Sequence, residues 1–264
     1  MDNQAILFAF LLTLIAGLST GIGSLIAFVA KRTNTYFLSF ALGLSAGVMI
    51  YVSFMEMLPT SLDSLTEAFG QKTGMLYMIL GLFGGIAVIA LIDFLVPKAQ
   101  NPHEMHGVEE MRSNQRLKHT GTITAITIAI HNFPEGVATF MSALTSLEVA
   151  IPITAAIAIH NIPEGIAVAV PIYHATGSKK KAFWLSFASG LAEPLGALIA
   201  FLFLMPFWSP VMNAIILAAV AGVMIFISLD ELLPSAEKYG KHHHSIIGLI
   251  LGMAVMALSL FLFV

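Results

Sequence analysis

Eight long apolar stretches dominate this sequence of 264 residues. A helix of about 20 apolar residues crosses the hydrocarbon layer of a bilayer, which is about 30 Å thick. The composition agrees, since 58% of the residues are hydrophobic and 10% are charged, against about 45–50% and 25% in soluble domains. The sequence therefore predicts an all-α polytopic membrane protein. The predicted spans are residues 6–29, 35–58, 75–95, 121–144, 149–171, 182–205, 210–233 and 245–264.

The distribution of positive charge predicts how these spans are oriented. Eleven of the twelve Lys and Arg residues follow spans 1, 3, 5 and 7, and Lys72 alone lies on the opposite side. Cytoplasmic loops accumulate Lys and Arg, so we expect both termini in the periplasm and the chain in the inner membrane of a bacterium. The one long connection, residues 97–120, is interpreted as a cytosolic loop within a single transmembrane domain, 1–264.

Composition excludes one function class and one kind of covalent cross-link. With 12 basic and 15 acidic residues, the chain lacks the positive charge of a nucleic-acid-binding protein. It contains no cysteine, so disulfides are excluded. Any metal site must then use oxygen, imidazole or thioether ligands.

An internal repeat relates span 2 to span 7. Residues 46–59, AGVMIYVSFMEMLP, and residues 221–234, AGVMIFISLDELLP, lie 175 positions apart and are identical at nine of fourteen positions. The same offset places span 1 on span 6 and span 3 roughly on span 8. Because spans 2 and 7 cross in opposite directions, the repeat is inverted, with spans 4 and 5 between its halves in a 3+2+3 layout. Inverted repeats around a midplane site are typical of transporters.

The predicted spans contain seven acidic residues and no Lys or Arg. Charged side chains are costly inside a bilayer and mark functional sites. Without basic partners, these acids need a cation from elsewhere, which is either a proton or a metal ion. The acids are Glu56, Asp93, Glu135, Glu164, Glu193, Asp230 and Glu231.

A six-residue motif occurs once in span 4 and once in span 5, as HNFPEG at residues 131–136 and HNIPEG at residues 160–165. In a helix, its His, Asn and Glu lie on nearly one face. Two facing helices double this ligand set, and bridging carboxylates can hold two ions. Imidazole with carboxylate suits zinc, iron and manganese. Glu193 in span 6 lies near the same depth as Glu135 and Glu164.

The other polar residues of the spans suit a path to and from such a site. Glu56, near the outer end of span 2, suits an entrance, and Asp230 and Glu231, near the inner end of span 7, suit an exit. Asp93 is either an exit ligand or an interfacial anchor. Met49 is a packing residue unless it lies close enough to the His and Glu set to act as a soft ligand.

The paired motifs, the segment GLAEPLGA at residues 190–197 and the 3+2+3 layout resemble the ZIP family of metal transporters over essentially the whole chain. The resemblance implies import of Zn²⁺, together with Fe²⁺, Mn²⁺, Co²⁺ or Cd²⁺, by a secondary transporter with no catalytic cofactor. It also implies a midplane binuclear site. The ligands implied are Glu135, His160 and Glu164 at one position and Asn132, Glu135, Asn161, Glu164 and Glu193 at the other, with His131 and Met49 as further candidates.

The partners expected from this resemblance are divalent metal ions and membrane lipid, with a second copy in a homodimer as a further possibility. Sequence alone leaves the direction of transport open, so an exporter or antiporter with the same site is one alternative. A membrane di-iron enzyme is the other, and the inverted repeat counts against it because an enzyme has no use for two gates.

Overall fold

The computed structural model describes residues 3–29, 35–95, 114–145, 147–239 and 242–263. Every regular element within these ranges is helical, which confirms the all-α prediction for them. The α-helices range from 7 to 32 residues and pack side by side. They are α1 (Asn3–Val29), α2 (Thr35–Val52), α3 (Leu58–Phe69), α4 (Gln71–Leu95), α5 (Asn114–Thr145), α6 (Leu147–Thr176), α7 (Lys179–Gly190), α8 (Ala192–Ile199), α9 (Pro210–Ile227), α10 (Leu233–Tyr239) and α11 (His242–Phe263).

Within the described residues, six segments are long and apolar enough to cross a membrane. They correspond to predicted spans 1, 2, 3, 6, 7 and 8. The helices of predicted spans 4 and 5, which are α5 and α6, measure 32 and 30 residues but are not among the six, so eight spans are not established. The six segments are Asn3–Leu25, Ser39–Phe69, Gln71–Phe94, Lys179–Phe207, Pro210–Glu237 and His242–Leu262.

The predicted boundaries differ most from the observed ones at two places. Helix α5 begins at Asn114, so residues 114–120, predicted as the end of the cytosolic loop, are helical, and residues 97–113 lie outside the described ranges. Predicted span 2 ends at residue 58, whereas helical structure continues through α3 to Phe69. Pro59 does not end the helix there, because it occupies the first turn of α3, where its missing N–H is tolerated.

A π-helical turn lies in each of the two segments that the sequence repeat relates. Ser53–Met57 separates α2 from α3, and Ser228–Leu232 separates α9 from α10, so the two turns lie 175 residues apart, as in the repeat. In each, the first serine donates a 2.7 Å hydrogen bond to the carbonyl of the methionine four residues earlier. Such turns are frequent at functional sites. The acids they carry are Glu56, Asp230 and Glu231.

Glycines allow two helix pairs to approach closely, α2 with α11 and α4 with α9. A Cβ atom at Gly47 would lie 2.1 Å from the carbonyl oxygen of Leu249, and one at Gly85 would lie 1.9 Å from that of Ala219. Both distances are far shorter than van der Waals contact, so each position accepts only glycine. Span 2 thus packs on span 8 in the way that span 3 packs on span 7.

Predicted span 6 is two helices rather than one, because Leu191 interrupts it between α7 and α8. Pro194 has no N–H to donate to the carbonyl of Gly190, four residues earlier. Helix α1 packs on that carbonyl, since a Cβ atom at Gly17 would lie 2.4 Å from its oxygen. The interruption places Glu193 in the first turn of α8.

Candidate metal site

The two repeated motifs lie on α5 and α6, which pack against each other. Their polar side chains point into the protein, and the carboxylate that the sequence predicts on span 6 joins them from α8. All are at most 1% exposed, and burying the ionisable groups among them is costly. These buried side chains are Asn132, Glu135, His160, Asn161, Glu164 and Glu193.

Direct hydrogen bonds join the four helices around this cluster. His160 Nε2 lies 3.1 Å from Glu135 Oε2, which connects α6 to α5. The amide Nδ2 of Asn161 donates to Glu193 Oε1 and, at 3.0 Å, to the carbonyl oxygen of Ala16. Helices α1, α5, α6 and α8 therefore meet at one group of buried polar atoms.

Several buried oxygens of this group have no hydrogen-bond partner among the described residues. Leaving a buried polar atom unsatisfied costs about 1–3 kcal/mol, and the great majority of such atoms in native proteins are paired. Oxygens without donors are suited to a cation. The atoms are Asn132 Oδ1, Asn161 Oδ1, Glu193 Oε2 and Thr20 Oγ1, and Asn132 Nδ2 is unpaired as well.

The glycine of each motif allows a neighbouring helix to approach closely. A Cβ atom at Gly136 would lie 2.0 Å from the carbonyl oxygen of Glu193, and one at Gly165 would lie 2.0 Å from that of Thr20. The motif therefore does two things, because its His, Asn and Glu supply polar groups and its Gly lets α8 and α1 reach them.

Met49 lies beside this cluster, and its side chain is buried. Ser45 Oγ is 4.0 Å from Met49 Sδ and 3.4 Å from the carbonyl oxygen of His160, so the thioether is close to the turn of α6 that carries the imidazole. His131 lies within α5, but its side chain is outside the described residues.

The predicted entrance and exit residues lie on other elements. Glu56 is half-buried on the first π-helical turn, Asp93 is partly buried near the end of α4, and on the second π-helical turn Asp230 is exposed whereas Glu231 is buried. Within the described ranges, no three His, Asp and Glu side chains are grouped closely enough to hold a metal ion. The structure thus brings the motif residues and Glu193 into one region without forming a complete coordination shell.

Thr20 is a member of this region that the sequence reasoning did not find. It carries no charge and belongs to no repeated motif. A signal does exist, because residues 17–23, GLSTGIG, align with residues 190–196, GLAEPLG, and this alignment pairs Thr20 with Glu193.

The class of the protein follows from two features, the six apolar segments and the buried set of carboxylate, amide and imidazole groups between helices. Together they define a polytopic membrane protein with a buried candidate cation site. The family described as ZIP Zinc transporter matches residues 95–260. Zinc transporter ZupT of Streptococcus mutans serotype c is 60% identical over 263 residues, which cover 99% of this chain and 100% of that protein. The ZupT proteins of Clostridium perfringens and Lysinibacillus sphaericus are 56% and 59% identical over 281 and 270 residues, covering 100% of this chain and 98% and 100% of theirs.

The chain therefore belongs to the ZIP family of zinc transporters. The resemblance read from the motifs is confirmed, as is a likeness to the bacterial zinc transporter ZupT, which the residues ATF at 138–140 and ATGSK at 175–179 also predict. The protein is a transporter rather than an enzyme, so the alternative of a membrane di-iron enzyme is set aside.

Proposed function

We propose that this protein is a secondary transporter that moves Zn²⁺ into the cytoplasm through a binuclear site between α5, α6 and α8. The observation that carries the proposal is the buried cluster of carboxylate, amide and imidazole groups, in which Asn132 Oδ1, Asn161 Oδ1 and Glu193 Oε2 have no donor among the described residues. The name zinc transporter, carried by relatives over nearly the whole chain, supports zinc as the substrate. Fe²⁺, Mn²⁺, Co²⁺ and Cd²⁺ are proposed as further substrates, because imidazole and carboxylate bind them too.

In this proposal, Glu135 and Glu164 bridge the two ions. Their burial and their positions on facing helices support the assignment. When an ion binds, the contact between His160 and Glu135 is exchanged for bonds to the metal. The proposed ligands are Glu135, His160 and Glu164 for one ion and Asn132, Glu135, Asn161, Glu164 and Glu193 for the other, with His131 and Met49 as further candidates.

We also propose that α5 and α6 cross the membrane, which completes eight spans in an inverted 3+2+3 layout. Two observations support it: the π-helical turns recur at the offset of the sequence repeat, and the glycine contacts recur between corresponding helices. Both termini would lie in the periplasm of a bacterial inner membrane. The exposed Lys179, Lys180 and Lys181 at the start of α7, with Lys72 alone on the other side, support this orientation.

The proposed path uses the acids outside the cluster. Ions arrive near Glu56 and lose their water at Glu135 and Glu164. They leave past the inner acids, Asp93, Asp230 and Glu231. Because the chain has no thiolate, the ligands are carboxylates, amides and imidazole, which bind zinc weakly enough for release. The exposed apolar helix faces contact lipid. Assembly as a homodimer is proposed from the family alone and is tested by the mass of the detergent-solubilised particle.

Zinc flux into proteoliposomes of known orientation tests the function. We expect inward flux from the wild type and at most a few per cent of it from Glu164→Gln and His160→Ala. Glu148→Gln is the matched control, because Glu148 lies exposed on the same helix, α6. Wild-type rates in both site variants would refute the site, and flux only in the outward direction would favour the exporter.

A further inference from the structure

We propose that Thr20, on α1, is a ligand residue of the intramembrane site and contributes to the choice of metal. Its hydroxyl oxygen would bind the ion directly, from the place on α1 that corresponds to the place of Glu193 on α8. The inference rests on the proposed function, since it adds a residue to that site. It comes from the way in which α1 and α8 contact the two motifs.

Helix α8 contacts the motif of α5 through two backbone approaches. A Cβ atom at Gly136 would lie 2.0 Å from the carbonyl oxygen of Glu193, and one at Gly196 would lie 2.3 Å from that of Phe133. Glu193 is thereby held beside the carboxylate of the motif, three residues before a glycine that fixes the register of α8.

Helix α1 contacts the motif of α6 in the same way. A Cβ atom at Gly165 would lie 2.0 Å from the carbonyl oxygen of Thr20, and one at Gly23 would lie 1.9 Å from that of Ile162. Gly165 and Ile162 hold the same motif positions on α6 as Gly136 and Phe133 on α5. Gly23, three residues after Thr20, corresponds to Gly196, three residues after Glu193. Thr20 therefore occupies on α1 the place that Glu193 occupies on α8.

Helix α1 also meets the last residue of α7, just before α8 begins, in a reciprocal contact. A Cβ atom at Gly17 would lie 2.4 Å from the carbonyl oxygen of Gly190, and one at Gly190 would lie 2.3 Å from that of Gly17. Such reciprocity is what a two-fold relation produces, and it pairs residues 173 positions apart. This is two fewer than the 175 predicted for spans 1 and 6, and two residues are a rotation of about 200° on a helix.

The hydroxyl of Thr20 is available in a way that the other hydroxyls of its helix are not. Thr13 and Ser24 donate to carbonyls of α1, at 2.8 and 3.3 Å. Thr20 is fully buried, yet its Oγ1 has no hydrogen-bond partner among the described residues. A Cβ atom at Gly190 would lie 3.0 Å from Thr20 Oγ1. The hydroxyl therefore faces the interruption between α7 and α8, one turn before Glu193.

Asn132 completes the comparison. Asn161, its counterpart in the other motif, donates to Glu193 and to the backbone of α1. Asn132 is buried as deeply, and neither side-chain atom has a hydrogen-bond partner among the described residues. By the two-fold correspondence, Asn161 with Glu193 places an amide and a carboxylate on one side of the site, and Asn132 with Thr20 would place an amide and a hydroxyl on the other. A neutral oxygen in place of a fourth carboxylate binds a divalent ion less tightly and favours its release.

Zinc uptake kinetics with competing metals test this assignment. Thr20→Val keeps the shape of the side chain and removes the hydroxyl, so we expect KM for Zn²⁺ to rise about tenfold, as for loss of a group next to a metal, and the order of competing metals to change. Thr20→Ser keeps the hydroxyl and should retain wild-type values. Thr13→Val, a buried position on the same helix, is the control and should also retain them.

A spectroscopic measurement reports the contact directly. Because the chain has no cysteine, Thr20→Cys introduces a single thiol, whose side chain is no larger than that of threonine. With Co²⁺ bound to the purified protein, we expect a thiolate-to-cobalt charge-transfer band from Thr20→Cys and none from Thr13→Cys. The cobalt spectrum also tests the role of Thr20 if Thr20→Val does not reach the membrane.

The outcomes separate this inference from the function on which it rests. A wild-type protein that carries no zinc overturns the proposed function. A wild type that carries zinc, with Glu164→Gln inactive, overturns the role of Thr20 alone if Thr20→Val keeps the wild-type KM and metal order. Absence of the charge-transfer band in a Thr20→Cys protein that binds Co²⁺ overturns it as well.

Discussion

Replacing Gly165 by alanine adds one methyl group at the contact between α6 and α1. The new Cβ atom would lie 2.0 Å from the carbonyl oxygen of Thr20, and ordinary van der Waals contact begins at 3.4 Å. The helices must therefore separate by about 1.4 Å, since the obstructing atom belongs to backbone and cannot rotate away. Overpacking of this kind costs about 1–3 kcal/mol, which is a large part of a typical stability.

The displacement also reaches the candidate site. Asn161, one turn before Gly165, donates a 3.0 Å hydrogen bond to Ala16, so moving α1 outward by more than 1 Å breaks it. We expect Gly165→Ala to lower the midpoint of thermal unfolding in detergent by several degrees and to reduce zinc uptake at least tenfold, because a ligand displaced by about 1 Å can cost a factor of 100.

Gly84→Ala is the matched control for this prediction. Gly84 lies in the middle of α4, and a Cβ atom there would meet nothing within 4 Å. Alanine is better than glycine inside a helix by about 1 kcal/mol, so this variant should transport normally and unfold at the same or a higher temperature. Wild-type stability and uptake in Gly165→Ala would refute the claim that close backbone contact positions the site.

Two further predictions concern the chemistry of the ligands. Glu193→Gln keeps an oxygen that accepts from Asn161 and removes one negative charge. Titration calorimetry should therefore find zinc affinity reduced about tenfold, with little change in the unfolding temperature, and unchanged affinity would exclude Glu193 as a ligand. Metal ions compete with protons for imidazole and carboxylate groups, so zinc uptake by the wild type should rise between about pH 5 and pH 8. His160→Gln should show a weaker dependence of uptake on pH. An equal pH dependence in the wild type and in His160→Gln would contradict a role for this imidazole.

Much of the site could be read from the sequence, because its signals are local. The spacing of His, Asn and Glu within HNFPEG and HNIPEG determines which side chains share a helix face, and a mid-span glutamate before a proline is conspicuous at Glu193. The structure buries Asn132, Glu135, His160, Asn161, Glu164 and Glu193. The π-helical turns could not be read in this way, because they are single turns with i→i+5 hydrogen bonds inside otherwise α-helical stretches, and the apolar spacing of those stretches predicts a helix without distinguishing its type.

What the sequence by itself determined is the environment and the chemistry. Long apolar runs require a membrane, acids without bases within them require a cation, and repeated motifs require helices with equivalent faces. These conclusions depend on composition and on spacing along one helix. They did not depend on how any helix is rotated against another.

Only the tertiary structure decided that rotation. Aligned at an offset of 175, Glu193 corresponds to Leu18, which is 40% exposed. In the structure the offset is 173, and the corresponding residue is the buried Thr20. The register follows from close backbone contacts at Gly17, Gly23 and Gly165. At each of them a glycine, which has no Cβ atom, lets a carbonyl group of another helix come close. Such a fit depends on two surfaces at once, so the sequence of either helix alone does not contain it.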